Sequence, residues 1–390
     1  MGSNSPKANK TSFCLPGHIF FLFLLLSTNL LTFFLSTTYN PCSTLPTEKA
    51  VSRVIEPVVP NLNDPEEGLP EEFVAYAYGQ KLPFGFNRRF DSDTMYSPVG
   101  RACVFYKDDI KKYMTYNVNG SCPDDEQLAQ KLMLKGCEPL PRRRCRPAAA
   151  GNYEEPIPYP DCQWTTPPDS SVVWTAHTCK NYTCLVKRRF AKGNDDCKDC
   201  FDLHDREIRR WLQREGKSAM EFTFDEVLEL KNPGTIRIGL DIGGGAGTFA
   251  VRMMERNVTI VTTSMNFNAP FNNFIASRGI VPLYITISQR LPFFDNTLDI
   301  VHSMHVISNW IPTTLLQFLL YDIYRVLRPG GIFWLDHFFC RLDQWQEYKP
   351  LIESIGFKSL KWVEGRKLDK PDHQEVYLSA ILEKPLKNSW

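Results

Sequence analysis

The stretch from residue 236 to 255 constrains the fold more than any other part of the chain. A β-rich run, Ile-Arg-Ile-Gly-Leu-Asp-Ile at 236–242, empties into Gly243, Gly244, Gly245, Ala246, Gly247 and Thr248, and a helical run follows at 249–255. Strand, glycine turn and helix in that order build a corner where main chain and a helix N-terminus can approach a nucleotide-type ligand. Glycine is needed because the chain turns with positive φ and because a Cβ would hold the ligand away. The corner is not the phosphate loop of ATPases, since no Gly-Lys-Ser/Thr follows. It is not the dinucleotide pattern either, because Thr248 or Phe249 takes the slot of the last glycine.

The elements around the corner extend the pattern. Helices are expected at 205–214 and 224–230, and strands at 258–263, 281–287 and 298–302. A helix then leads to a Pro329-Gly330-Gly331 turn feeding a strand at 332–336, and a last strand is expected at 376–382. Strand and helix in alternation imply a parallel sheet covered on both faces. Leu315, Leu316, Leu319 and Leu320 read as the helix face that covers it. Asp295 and Asp299 read as turn and strand-start residues rather than a paired-carboxylate site.

The series Leu240-Asp241-Ile-Gly-Gly-Gly-Ala-Gly, then Leu291-Pro-Phe-x-Asp-x-x-x-Asp299, then Arg325-Val-Leu-Arg-Pro-Gly-Gly331 resembles the class I S-adenosylmethionine-dependent methyltransferases over about residues 236–385. The resemblance implies an α/β, Rossmann-like fold with a mostly parallel seven-stranded sheet and S-adenosylmethionine as cofactor. More narrowly, Leu298-Asp-Ile-Val-His302-Ser with Trp310 downstream, behind one apolar N-terminal run, is similar to plant single-pass Golgi-type probable methyltransferases, and distantly to those linked to pectin methylation.

Carried over by position, the resemblance assigns Asp241, Gly243, Gly244, Gly245 and Gly247 to the methionine half of the cofactor. Such domains usually end the second strand in an acid that holds the ribose. Here that place falls among Thr262, Thr263 and Ser264, and no Asp or Glu occurs between Glu255 and Asp295. Ser264 and Asn266 are neutral substitutes, weaker acceptors than a carboxylate. Ile287 replaces an acid often found near the adenine amine, which leaves Ser288 as a further polar candidate. On the acceptor side, His302, His305, Asp336 and His337 fall at the carboxyl ends of expected strands, where ligands of open α/β sheets lie. His302 or His305 is expected to contact the acceptor as base or orienting donor, with Asp336 and His337 lining the pocket; a purely structural hydrogen-bonding role for each histidine stands beside this reading.

The run at 15–35 carries no charge apart from a possible His18, follows Lys7 and Lys10, and precedes the next charged residue, Glu48. It reads as a signal anchor with a cytoplasmic tail at 1–14, which places the remainder in a lumen as a type II membrane protein of the Golgi or endomembranes; a cleaved signal peptide is the rival reading. A proline- and acid-rich stem at 36–72 and a Cys-rich, loop-rich module at 73–204 precede the methyltransferase-like domain at 205–390. Nine of the twelve cysteines lie between Cys103 and Cys200, which asks for an oxidising compartment or a metal. The pairs Cys179/Cys184 and Cys197/Cys200 have the form of a zinc site, yet disulfides suit a lumen better. Asn119, Asn181 and Asn257 stand in glycosylation triplets. With 45 basic and 44 acidic residues no global field favours nucleic acid. The run Pro-Arg-Arg-Arg-Cys-Arg-Pro at 141–147 reads as a solvated loop rather than a grip on an acidic polymer. The expected function is methylation of an oxygen on a cell-wall polysaccharide, possible acidic polysaccharides included, or on another luminal acceptor. A catalytically silent scaffold for wall-synthesis enzymes is the alternative, and a soluble-substrate enzyme facing the cytosol would require the opposite topology.

Overall fold

Successive residues of the central strands point to opposite faces, and here both faces are apolar. Ile300, Ile332, Trp334 and Ile381 enter one core, while Val301, Phe333, Leu335 and Leu382 enter the other. The computed structural model describes residues 68–386 apart from 78–79, 82–93, 96–99, 101, 151–162, 189–196, 198, 213–217 and 367–373. The apolar run at 15–35 and the stem up to residue 67 lie outside the described residues, among which no helix is long and apolar enough to cross a membrane.

The Cys-rich part carries α1 (Glu71–Ala77), α2 (Ala102–Phe105), α3 (Lys107–Tyr113), α4 (Glu126–Leu134) and α5 (Tyr182–Lys187). Its bridges are Cys103–Cys137, Cys122–Cys145, Cys179–Cys184 and Cys197–Cys200, so the two pairs with zinc-like spacing are disulfides. Cys340 is free and buried. The basic run is not simply solvated. Arg142 grips Asp125 with both terminal nitrogens, at 2.8 and 2.5 Å, and Arg144 reaches Glu72 at 3.0 Å. The first pair braces the entry to α4, and the second ties the run to α1. Replacing Cys103 and Cys137 together by serine should lower the unfolding free energy by about 3–4 kcal/mol, the loop-closure value for a bridge spanning a few tens of residues. An unchanged urea midpoint in non-reducing buffer at neutral pH, with the other bridges intact, would remove this crosslink from the stability of the module.

A turn of π-helix, Leu203–Glu207, leads into α6 (Ile208–Leu212) and then α7 (Phe224–Glu229), which starts at a Thr223/Glu226 capping box. There follow β1 (Ile238–Ile242), α8 (Thr248–Met254), β2 (Thr259–Thr263), α9 (Phe271–Ser277), β3 (Val281–Leu283), β4 (Leu298–Met304), α10 (Thr313–Val326), β5 (Leu327–Arg341), α11 (Trp345–Glu353), β6 (Lys358–Arg366) and β7 (Glu375–Glu383). The sheet order is β3-β2-β1-β4-β5-β7-β6, parallel except for β7, which runs antiparallel to both neighbours. The seven strands and their helices have the expected fold class. β3 is shorter than its apolar run suggested, and β5 continues through the Pro-Gly-Gly segment, where Gly330 adopts φ +77° and the register against β4 slips between Leu298 and Ile300. α10 buries Leu316, Leu319 and Leu320 against the sheet, with Leu315 packed beside them. A further cluster joins Tyr182, Leu185, Phe201 and Leu203 to Ala246, Phe271 and Phe274, so the Cys-rich part and the sheet share a core.

Candidate active site

β1 and β4 lie side by side with Asp241 opposite His302, so their side chains meet at the carboxyl ends of the two strands. The chain then turns through Gly243 at φ +69° and Gly245 at φ +54°. A Cβ on Gly243 would stand 2.2 Å from Val306 Cγ2, and one on Gly245 would stand 2.6 Å from Cys200 Sγ. Neither position tolerates a side chain. The turn is pinned from below: Gly243 N–H donates to Thr263 Oγ1 at 2.8 Å and Gly244 N–H to Thr263 O at 3.0 Å. Buried Arg278 donates to Ala246 O at 2.8 Å and to Gln163 O at 2.8 Å, and burial pushes its pKa down to about 10. Gly247 sits behind the turn at the start of α8, facing Ile275.

Above the turn opens a cleft of about 1100 Å³, reached by Asp241, Gly243, Gly244, Gly245, Ser264, His302 and His305. Of the expected site residues these seven line it, whereas Gly247, Asn266, Ser288, Asp336 and His337 do not. Its walls also include Gln127, Gln130 and Lys131 of α4, Glu207, Arg210 and Trp211 around α6, the Cys197–Cys200 bridge, and an apolar strip at Ile285 and Ile287. Burial raises the pKa of Glu207, against the pull of Arg210 at 3.5 Å. Trp310, about half exposed, stands at the rim with its indole N–H on Val306 O at 2.7 Å.

From the floor of the cleft downward runs a chain of alternating carboxyl groups and imidazoles. Asp241 Oδ1 lies 2.7 Å from His302 Nδ1, His302 Nε2 lies 3.7 Å from Asp336 Oδ2, and Asp336 Oδ1 lies 2.5 Å from His337 Nδ1. The 3.7 Å contact is an ion-pair distance, too long for a hydrogen bond. The His302 ring stacks on Phe249 at 3.8 Å and meets Trp334 edge-on at 5.1 Å. Burial alone would push its pKa down, yet Asp241 foremost and Asp336 after it raise it above the ordinary value. His302, buried and held between two acidic side chains that raise its pKa, is poorly placed to exchange a proton with a ligand. His305 differs. It lies at the cleft wall with φ +61°, its ring 5.1 Å from that of His337 and 5.8 Å from that of Tyr377. His337 also has φ +53°, at the place where β5 slips register against β7. Two adjacent non-glycine residues in the left-handed region mark a strained, constrained site.

A methyltransferase-domain model matches residues 240–335. A probable methyltransferase of Arabidopsis thaliana is 38% identical over 293 residues, covering 74% of this chain and 72% of that protein. The chain belongs to the plant probable methyltransferases. Another Arabidopsis thaliana member, PMT21, is 29% identical over 145 residues, 33% of this chain and 24% of that longer protein. Among solved structures, a geranyl diphosphate methyltransferase in complex with GPP and sinefungin aligns with 40% of this chain and 74% of its own, at 12% identity and a TM-score of 0.34.

The methyltransferase uses S-adenosylmethionine, and the cleft suits it in three respects. The volume is ample, the glycine turn leaves bare main chain, and Asp241 Oδ2 is a buried acceptor with no donor among the described residues. The ribose side is unusual. β2 ends in Thr262 and Thr263, and the Thr263 hydroxyl is already engaged by Gly243. Ser264 reaches the cleft, its hydroxyl donating to Met265 O at 3.3 Å. Asn266 is turned to structural work, donating to Glu126 Oε1 at 2.7 Å and accepting from Asn272 N–H at 2.9 Å. Ser288 pairs with the Thr286 hydroxyl at 2.7 Å. The sequence reading missed α4, Glu207, Arg210 and Trp211 as cleft residues. The amphipathic run at 126–134 was a legible helix signal, but nothing local says which cleft its polar face meets.

Proposed function

We propose that this methyltransferase is anchored in a Golgi or related membrane with the folded part in the lumen, and that it methylates an oxygen of a cell-wall polysaccharide or another luminal acceptor. The observation that carries the luminal reading is the set of four disulfides among the described residues, a pattern of oxidising compartments. Exposed Asn119 and Asn257 are accessible to glycosylation there, whereas Asn181 caps α5 by accepting from Cys184 N–H at 2.7 Å.

S-adenosylmethionine supplies an electrophilic methyl on sulfur. The glycine turn and Asp241 hold the methionine end of the donor, and the apolar strip at Ile285 and Ile287 offers a face for the base. His305 orients the acceptor and takes the proton of a hydroxyl as it attacks; a carboxylate acceptor arrives without that proton and needs only orientation. Asp336 and His337 position His305, whose main-chain N–H donates to Asp336 O at 3.1 Å.

The test is calorimetric titration of S-adenosylmethionine and S-adenosylhomocysteine into the disulfide-intact luminal part, followed by an acceptor screen that begins with acidic polysaccharides. Micromolar binding is expected. His305→Gln should leave that affinity unchanged and lower kcat about a hundredfold, within the usual range for a lost general base. Absence of donor binding by folded protein would favour the scaffold reading, which the lack of a carboxylate at the end of β2 also supports.

A further inference from the structure

A nucleoside-bearing ligand at a strand-glycine-helix corner lays its ribose toward the end of the next strand, where an acceptor about twenty residues beyond the glycines holds the hydroxyls. In this chain that strand end, Thr262 to Ser264, offers no carboxylate. The same spot is covered from outside by α4. On its cleft side α4 presents Gln127, Gln130, Lys131 and Leu134, one stripe of a helix. The helix is locked there by Glu126, which accepts from Asn266 Nδ2 at 2.7 Å, and by Asp109 of α3, which holds Lys131 at 3.3 Å and Lys135 at 2.8 Å.

Gln130 is the member of that stripe that lacks a complete set of partners. Its side chain is 3% exposed, and its Nε2 donates to the main-chain carbonyl of Asn266 at 2.9 Å. A carbonyl only accepts, so this bond decides which end of the amide is nitrogen and leaves Oε1 as the free end. Oε1 has no hydrogen-bond partner among the described residues. A buried acceptor left without a donor is costly unless something supplies one. We propose that Gln130 Oε1 receives a ribose hydroxyl of the bound donor, so that the Cys-rich part supplies the acceptor that β2 lacks. Donor binding then needs both parts of the chain, and the bridge Cys103–Cys137, which closes just beyond α4, keeps the acceptor in place.

This inference rests on the reading of the cleft as the donor site, and the experiment separates the two. S-adenosylhomocysteine and its 2′-deoxy and 3′-deoxy analogues are titrated into the disulfide-intact protein, wild type, Gln130→Leu and Gln130→Glu. Wild type should prefer the parent compound over one deoxy analogue by about tenfold, the scale of one hydrogen bond in a buried site. Gln130→Leu should bind the parent about tenfold more weakly and lose that preference, while Gln130→Glu, which keeps an acceptor toward the cleft but loses the donor to Asn266 O, should bind more weakly yet retain it. A preference undiminished in Gln130→Leu overturns the inference even if overall affinity falls. Should Gln130→Leu not fold, equal binding of parent and both deoxy analogues by wild type overturns it as well. Wild type that binds none of the three overturns the donor-site reading and this inference together.

Discussion

Alanine at position 243 should weaken S-adenosylmethionine binding about a hundredfold. Two separate penalties fall on that residue. Gly243 sits at φ +69°, where a Cβ costs about 1–2 kcal/mol. The new methyl would also stand 2.2 Å from Val306 Cγ2, and overpacking of this kind costs about 1–3 kcal/mol. The fold can escape both by swinging the turn off Thr263 and away from the Val306 segment. That movement breaks the bond from Gly243 N–H to Thr263 Oγ1 and closes the cleft to the donor, so affinity should fall more than stability does. The pair Gly243→Ala with Val306→Ala relieves most of the second penalty, leaving only the Val306 Cβ at 2.9 Å. Trimming Val306 removes the two methyls nearest the new Cβ, and about tenfold of the lost affinity should return, measured by the same titration. If the pair binds no better than Gly243→Ala alone, the contact with Val306 is not what requires glycine there.

The glycine turn was legible because everything it needs is local: a strand, a run of small residues and a helix within twenty positions. The parallel sheet followed from the alternation of such units, whereas the order of its strands did not. What sequence could not show depends on closure between distant segments. Asp241 and His302 are neighbours only because β1 and β4 pair in one particular register. Arg142 looked like part of a solvated basic run, but it is absorbed by Asp125 at the start of α4. Asn266 looked free to hold a ribose. It is occupied instead by Glu126, from a helix about 140 positions earlier in the chain. The residues that frame the cleft from the Cys-rich part come from a region whose secondary structure is short and whose shape is set by four crosslinks, where hydrophobic period carries little information.

Buried His302, whose pKa its acidic neighbours raise, carries the other large expected effect. Leucine in place of His302 should destabilise the protein by about 3–5 kcal/mol near pH 6, because it strands the Asp241 and Asp336 carboxylates in a site that is about 1% exposed or less. The effect has a definite pH dependence. His302 has a folded-state pKa above its unfolded value of about 6.5, so the charge stabilises the native state fully below that pH. The contribution fades as pH rises through the raised folded value, where the native protein also releases the proton. Urea denaturation at a series of pH values should therefore show wild type losing stability on the alkaline side relative to His302→Leu, with the gap between them widest near pH 6. Asp241→Asn added to His302→Leu removes one stranded charge and should recover part of the loss, so the two substitutions are not additive. A gap that stays constant with pH would mean that His302 is neutral and that the stacking on Phe249 is what the substitution removes. Additive losses would mean that Asp241 and His302 act on stability separately despite their 2.7 Å contact.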